Sequence, residues 1–255
     1  MKKFDVLNLV NSQLQRVGFS LTHLNLVEEK YNSELDFWKT TLDNYLLWYQ
    51  GDIKSLYGES CPKPSQKVKG HTELDSAVLT WEHIHQRKKY SEDLHLKSNA
   101  FKGMILLDVG SGPHPSALTF EDCQVYCLDP LLSGYIKVGF PIHYDPRAHF
   151  VSGYSENMPF KSNFFDAVIS VNAIDHVDDF EATAAEIKRV LKPKGKLRLH
   201  VHYHQATRHE PLELTDQRLL SAFGWAKIKK IHTSKTKRGT ILTDPNEQYC
   251  VWSNF

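Results

Sequence analysis

The chain has 255 residues, more than the ~100–200 of one ordinary domain, so an α/β domain with an appended region is expected. Its charges nearly cancel at +1, which argues against a nucleic-acid footprint or an electrostatic membrane partner, and no run of ~18 apolar residues marks a membrane span. Cys61, Cys123, Cys127 and Cys250 show no CxxC spacing, and the first residues scatter Asp, Asn, Gln and Arg among apolar positions; a disulfide scaffold and a signal peptide are therefore not expected, and a cytoplasmic location is. Fourteen histidines make the charge sensitive to mild acid.

From residue 4 to about residue 30, Phe4, Leu7, Val10, Leu14 and Val17 recur at helical spacing. A second helix is predicted over 34–50, with Leu35, Trp38, Leu42, Tyr45, Leu46 and Tyr49 on one stripe that reads as core. The segment 61–70, with two prolines and a closing glycine, reads as a linker. A third helix is predicted over 74–93, with Val78, Trp81, Ile84 and His85 on its inner side. Tyr90 and His85 belong either to a solvated helix with a packed Trp or to a lid over a ligand. Residues 1–98 thus form a helical cap, and 99–255 a ligand-binding α/β domain.

Residues 104–115, MILLDVGSGPHP, place a short apolar run before a glycine turn. Such a run suits a strand buried on both faces of a parallel sheet, with the turn at the carboxyl edge where open α/β sheets bind ligands. A dinucleotide fingerprint needs a third glycine where Pro115 stands, and Asp108 would repel a pyrophosphate. The turn could also be an ordinary strand-to-helix connection. A short helix over 116–122 and a second strand over 124–128 follow, ending in Asp129, placed to bind a ribose diol or to cap the next helix. A third strand is expected near 149–153 and a fourth over 167–171. A helix over 179–191, acidic at its start and basic at its end, complements its own dipole. A fifth strand over 196–204, a helix over 215–223 and strands over 226–234 and 248–255 complete the chain.

The acidic-x-Gly-x-Gly pattern of Asp108, Gly110 and Gly112 resembles the class I S-adenosylmethionine (SAM)-dependent methyltransferases, with His114 where that family often has a third glycine. The series from Gly153 through Met158-Pro159-Phe160 and Phe164-Phe165-Asp166 to His176-Val177-Asp178-Asp179 and the LKPKG turn resembles the type-11 branch. The resemblance covers roughly residues 100–204. It implies a Rossmann-like fold, a mostly parallel seven-stranded sheet with one antiparallel strand, and SAM as cofactor. It implies further that Asp108, Gly110, Ser111, Gly112, Asp129, Tyr154, Ser155, Glu156 and Asn172 bind SAM. Tyr154 stands where the branch usually has an aspartate for the adenine amine, so Ser155, Glu156 or the main chain would serve there.

If the acceptor is a hydroxyl, a base must project from the carboxyl edge. His176 is favoured, with His202 and His204 next; His176 could instead cap or pack. His200, His202 and His204 share one face of the fifth strand and, with His209 and Glu210, invite a metal. No metal is expected, because a central strand normally turns its side chains to covering helices or to the pocket. The acceptor is expected to be a small molecule or glycan, methylated on oxygen. The alternatives are a non-catalytic SAM-binding scaffold and an NAD(P)-dependent oxidoreductase.

Overall fold

The computed structural model describes residues 29–62, 69–141, 146–206, 212–237, 240–241 and 247–255. The stretch 4–28, the middle of the expected linker, and His209 with Glu210 lie outside them.

Helix α1 (Glu29–Gln50) begins earlier than the stripe predicts and buries Leu42, Tyr45, Trp48 and Tyr49. A small antiparallel hairpin, β1 (Ser55–Leu56) and β2 (Glu59–Ser60), follows; its strands are too short to show a period in sequence. Helix α2 (Glu73–Trp81) opens on a reciprocal cap in which Thr72 Oγ1 accepts from Asp75 N at 3.0 Å and Thr72 N donates to Asp75 Oδ2 at 3.1 Å. A π-helical turn (Glu82–Gln86) joins it to α3 (Arg87–Asp93). The wider turn resets the helix phase. Glu82, His85, Gln86 and Tyr90 point inward, and Ile84, expected inside, is exposed.

The main sheet holds β3 (Ile105–Val109), β4 (Gln124–Asp129), β5 (Ala148–Ser152), β6 (Phe165–Val171), β7 (Leu191–Tyr203), β8 (Lys229–Ser234) and β11 (Gln248–Ser253). Strands β9 (Thr236–Lys237) and β10 (Thr240–Ile241) pair apart from it. Its order is β5-β4-β3-β6-β7-β11-β8, parallel except that β11 runs antiparallel to both neighbours. This is the Rossmann-like sheet with one reversed strand that the sequence pattern implies.

Helices α4 (Leu132–Val138), α5 (Phe180–Val190) and α6 (Asp216–Phe223) connect the strands. Asp179 caps α5 by accepting from Ala182 N at 2.9 Å. After β3 the chain makes a 3₁₀ turn over Ser116–Thr119 where a helix to residue 122 is expected. Pro113 and Pro115 remove two main-chain donors at the point where a helix would start. The extended chain of β7 starts at Leu191 and accommodates Pro193 and Gly195 in a register shift against β6.

One face of the sheet packs Leu107, Val168, Leu199 and Val201 against α5 and α6. The other packs Leu106, Val125 and Ile169 under Tyr90, Leu94 and Phe101. A third cluster joins Tyr45, Trp48 and Trp81 to Leu131, Tyr135 and Phe140, so the N-terminal helices share a core with α4. Burial of this extent, at roughly 25 cal/mol per Å² of apolar surface, is what holds the layers together.

Candidate active site

Strand β3 ends in a turn that only glycines fit. Gly110 and Gly112 have φ of 72° and 65°, and a Cβ on Gly110 would stand 2.2 Å from Ala173 Cβ. The turn is tied to β4: Gly110 N donates to Leu128 O at 2.8 Å, and Gly112 N donates to Asp129 Oδ2 at 2.9 Å. Asp129 Oδ1 accepts from Leu131 N at 2.8 Å. The carboxylate thus braces the start of the α4 connection and also faces the cavity. The bracing role is seen directly, and the carboxylate keeps lone pairs on the cavity side.

A cavity of about 580 Å³ opens between this edge and α1, within the range of small-molecule sites. Gly110, Ser111, Gly112, Asp129, Tyr154, Ser155, Glu156, Asn172 and His176, named from sequence, all line it. Ser155 Oγ donates to Glu156 Oε2 at 3.1 Å, while Glu156 Oε1 accepts from Asp178 N at 2.9 Å. Glu156 therefore anchors the turn before α5 as well as facing the cavity. Asn172 sits at φ 52° with a buried Oδ1 that has no hydrogen-bond partner among the described residues. Three carboxylates, Glu34, Asp129 and Glu156, are on the wall, and no lysine or arginine is among the described lining residues.

Asp108 is not on that wall. Its even-numbered position on β3 turns it toward α3, where it is fully buried and accepts a hydrogen bond from Tyr90 Oη. It is Tyr90 that lines the cavity. The direct approach of Asp108 to a ligand, expected from sequence, is corrected: the carboxyl is buried behind Tyr90, which stands between it and the cavity. Burial raises the Asp108 carboxyl to about 7, Tyr90 lowers it and Asp129 raises it further. Burial likewise raises Asp129 to about 7, with Glu34 adding to the rise and the amides of Leu131 and Gly112 opposing it.

His202 and His204 are not on the wall either, against the expectation of a second-choice base. The even positions of β7 face away from α5 and α6, on the side of the sheet where Arg198 Nη1 donates to Leu94 O at 3.0 Å. His202 stacks on Tyr249 at 4.4 Å between ring centroids. His176, 31 % exposed at its side chain, is on the wall, with Nε2 3.8 Å from Asp175 Oδ2. His85 is buried against Trp81 at 4.3 Å and does not line the cavity.

The sequence expectation of a helical cap over 1–98 did not name the α1 residues that line the cavity. Trp38 lies 3.6 Å from where a Gly112 Cβ would be and meets His114 edge-on at 6.1 Å, so it serves core and cavity together. Phe37, off the buried stripe and 55 % exposed, was the signal that this helix has a second, ligand-facing side.

The fold defines a class: an α/β, Rossmann-like sheet of the class I methyltransferase kind, with its glycine turn at the carboxyl edge. Residues 107–199 match the family model described as "Methyltransferase domain", of type 11. Among curated proteins, the chain is 32 % identical over 105 residues to a sterol 24-C-methyltransferase of Candida albicans, covering 39 % of this chain and 28 % of that protein. It is 36 % identical over 100 residues to a demethylmenaquinone methyltransferase of Renibacterium salmoninarum, covering 38 % of this chain and 41 % of that one. The chain thus spans less than half the length of these relatives. Among solved structures, a geranyl diphosphate methyltransferase in complex with SAM aligns with a TM-score of 0.51 at 14 % identity, over 73 % of this chain and 91 % of that one. The [4+2]-cyclase SpnF aligns with a TM-score of 0.50 at 14 % identity, over 86 % and 93 %. These likenesses describe the fold; one neighbour being named a cyclase, the activity has to be argued from the site.

Among the described residues no helix is long and apolar enough to cross a membrane.

Proposed function

We propose that this chain transfers a methyl group from SAM to the hydroxyl of a small-molecule acceptor. The observation that carries the reading is the charge of the cavity: three carboxylates and no described basic residue on a wall built around a glycine turn. Such a wall attracts a ligand bearing an ammonium and a sulfonium and repels a pyrophosphate. That contrast favours SAM over a dinucleotide, and it favours an uncharged acceptor over a phosphorylated one.

The residues fit SAM. The positive-φ glycines allow close main-chain approach, Asp129 offers oxygens to a ribose diol, and the buried Asn172 Oδ1 offers an acceptor that no described residue uses. On this reading Tyr154, Ser155 and Glu156 would face the adenine and Tyr90 the cationic end, while Glu34 adds negative charge near Asp129. Bound there, SAM supplies a methyl carbon already activated by its positive sulfur. The protein then has to align the acceptor and remove its proton. His176, on the wall with Nε2 3.8 Å from the buried Asp175 carboxylate, is the histidine proposed to accept that proton. Trp38, Phe37 and Tyr31 of α1 supply an aromatic side for the acceptor, which makes residues 1–98 the acceptor-binding region.

Calorimetry with SAM, with its demethylated product S-adenosylhomocysteine and with NAD tests the cofactor. Micromolar binding of the first two and none of NAD is expected, and NAD binding alone would overturn the reading. Turnover of methyl-labelled SAM with a panel of hydroxylated small molecules tests the reaction; binding without turnover on any acceptor would make the chain a SAM-binding scaffold.

A further inference from the structure

Behind the cavity wall, Asp175, His202 and His204 come together, all buried, with one ligand atom from each lying within 4.8 Å of the others. Asp175 follows β6, and the two histidines stand two apart on β7. No spacing in the sequence links the aspartate to the histidine run; the parallel pairing of β6 with β7 does.

Asp175 is fully buried, and neither of its carboxylate oxygens accepts a hydrogen bond among the described residues. Among those residues no lysine or arginine forms an ion pair with it, and its nearest titratable neighbours are His176 Nε2 and His204 Nε2, each at 3.8 Å. A buried carboxylate in this condition requires a cation. His204 Nδ1 lies 2.7 Å from Gln205 O. A carbonyl can only accept, so Nδ1 carries a proton and, in the neutral ring, Nε2 presents its lone pair toward Asp175. Two lone-pair bearers then face each other at 3.8 Å, an arrangement satisfied by a positive ion between them. Orientation of a ligating imidazole by a main-chain carbonyl at its other nitrogen is the usual support of a metal-bound histidine. His202 is held by its stack on Tyr249 and has Glu247 Oε2 at 3.8 Å from its Nε2.

We propose that Asp175, His202 and His204 bind a divalent first-row transition-metal ion, revising the sequence expectation of no metal. Two imidazoles and a carboxylate suit zinc or ferrous iron, with metal–ligand bonds of roughly 2.0–2.2 Å that need an inward shift of under about 1 Å per side chain. Three protein ligands leave a coordination position open. His176, which neighbours Asp175 and lines the cavity, places the ion one residue behind the acceptor side.

The proposal uses Asp175, the neighbour of the proposed base His176, but its test needs neither SAM nor an acceptor. The full chain, stripped with chelator and dialysed, is titrated with Zn(II) and with Co(II), and its metal content is measured by mass spectrometry. One ion per chain with a micromolar or tighter Kd is expected, together with visible Co(II) d–d absorption. His204→Gln and Asp175→Asn should each weaken binding at least 100-fold, whereas His232→Ala, in the separate His95–His232 contact, should not change it. X-ray absorption on the zinc-loaded wild type should show two imidazoles and guards against variants that fail to fold. Absence of stoichiometric binding, binding that survives both variants, or a spectrum without two imidazoles would overturn the site.

Discussion

The carboxyl edge of the sheet has two halves, and they are built differently. At β3 and β4 the main chain does most of the work: amides of Gly112 and Leu131 hold Asp129, and Gly110 gives up a side chain so that the turn can lie against Ala173. At β6 and β7 the work falls to side chains, with Asp175 set among His176, His202 and His204. The first half offers shape and hydrogen-bond acceptors to a ligand. The second would offer proton chemistry and, under the metal proposal, a place for an ion. On the proposed reading a methyl donor would use the former and an acceptor the latter, which would keep the two tasks apart in one cleft.

The sharpest way to break this division is Gly110→Ala. The added Cβ meets Ala173 Cβ at 2.2 Å and sits at φ 72°, so SAM binding by calorimetry should be lost, with about 1–3 kcal/mol of stability. His176→Gln should cut kcat by roughly 10²–10⁴-fold and leave SAM affinity unchanged; a matching loss of affinity would show that the two halves are not separate. Asp129→Asn should weaken SAM by roughly 10-fold, the worth of one charge-assisted hydrogen bond. Because Asp129 titrates at about 7 in the folded chain and a cationic ligand favours its ionised form, SAM affinity should rise from pH 6 to pH 8 with release of a proton. The asparagine variant should flatten that rise.

The smallest effect is expected from Tyr90→Phe. The Asp108 carboxyl is raised to about 7 by the fold from an unfolded value of about 4. Its ionisation therefore costs the folded state nothing below about pH 4, progressively more up to about 7, and a constant amount above. Loss of the Tyr90 donor pushes the folded value higher still. The variant should melt like wild type in acid and lower by roughly 2–4 °C near pH 8, for about 1 kcal/mol in a chain of this size. A deficit equal at all pH values would mean that Tyr90 stabilises by packing alone.

The strand positions along the chain were legible from short-range signals (apolar runs, glycines at a turn, acids at strand ends), while the reversed strand and most of the cavity wall came from the family resemblance. What sequence could not show was direction. Asp108 and Asp129 read alike, each closing a strand, yet the first turns to α3 and the second to the cavity. His202 and His204 read as edge residues, and their even positions turn them to the sheet face opposite α5 and α6 instead. The contribution of α1 was hidden because Trp38 satisfies the helical stripe while also facing the ligand side. The proximity of Asp175 to the histidine pair depends on strand pairing across more than twenty residues, which no local pattern records.

The π-helical turn at Glu82–Gln86 gives this architecture a narrow tolerance. Each residue of a helix rotates the chain by about 100°, so deleting one residue there would carry Tyr90 off Asp108 and open the cavity floor without altering a single apolar side chain. Homologous exchange of this segment for an ordinary helix of equal hydrophobicity would fail for the same reason: what the segment supplies is an angular setting, and amphipathic character alone does not encode it.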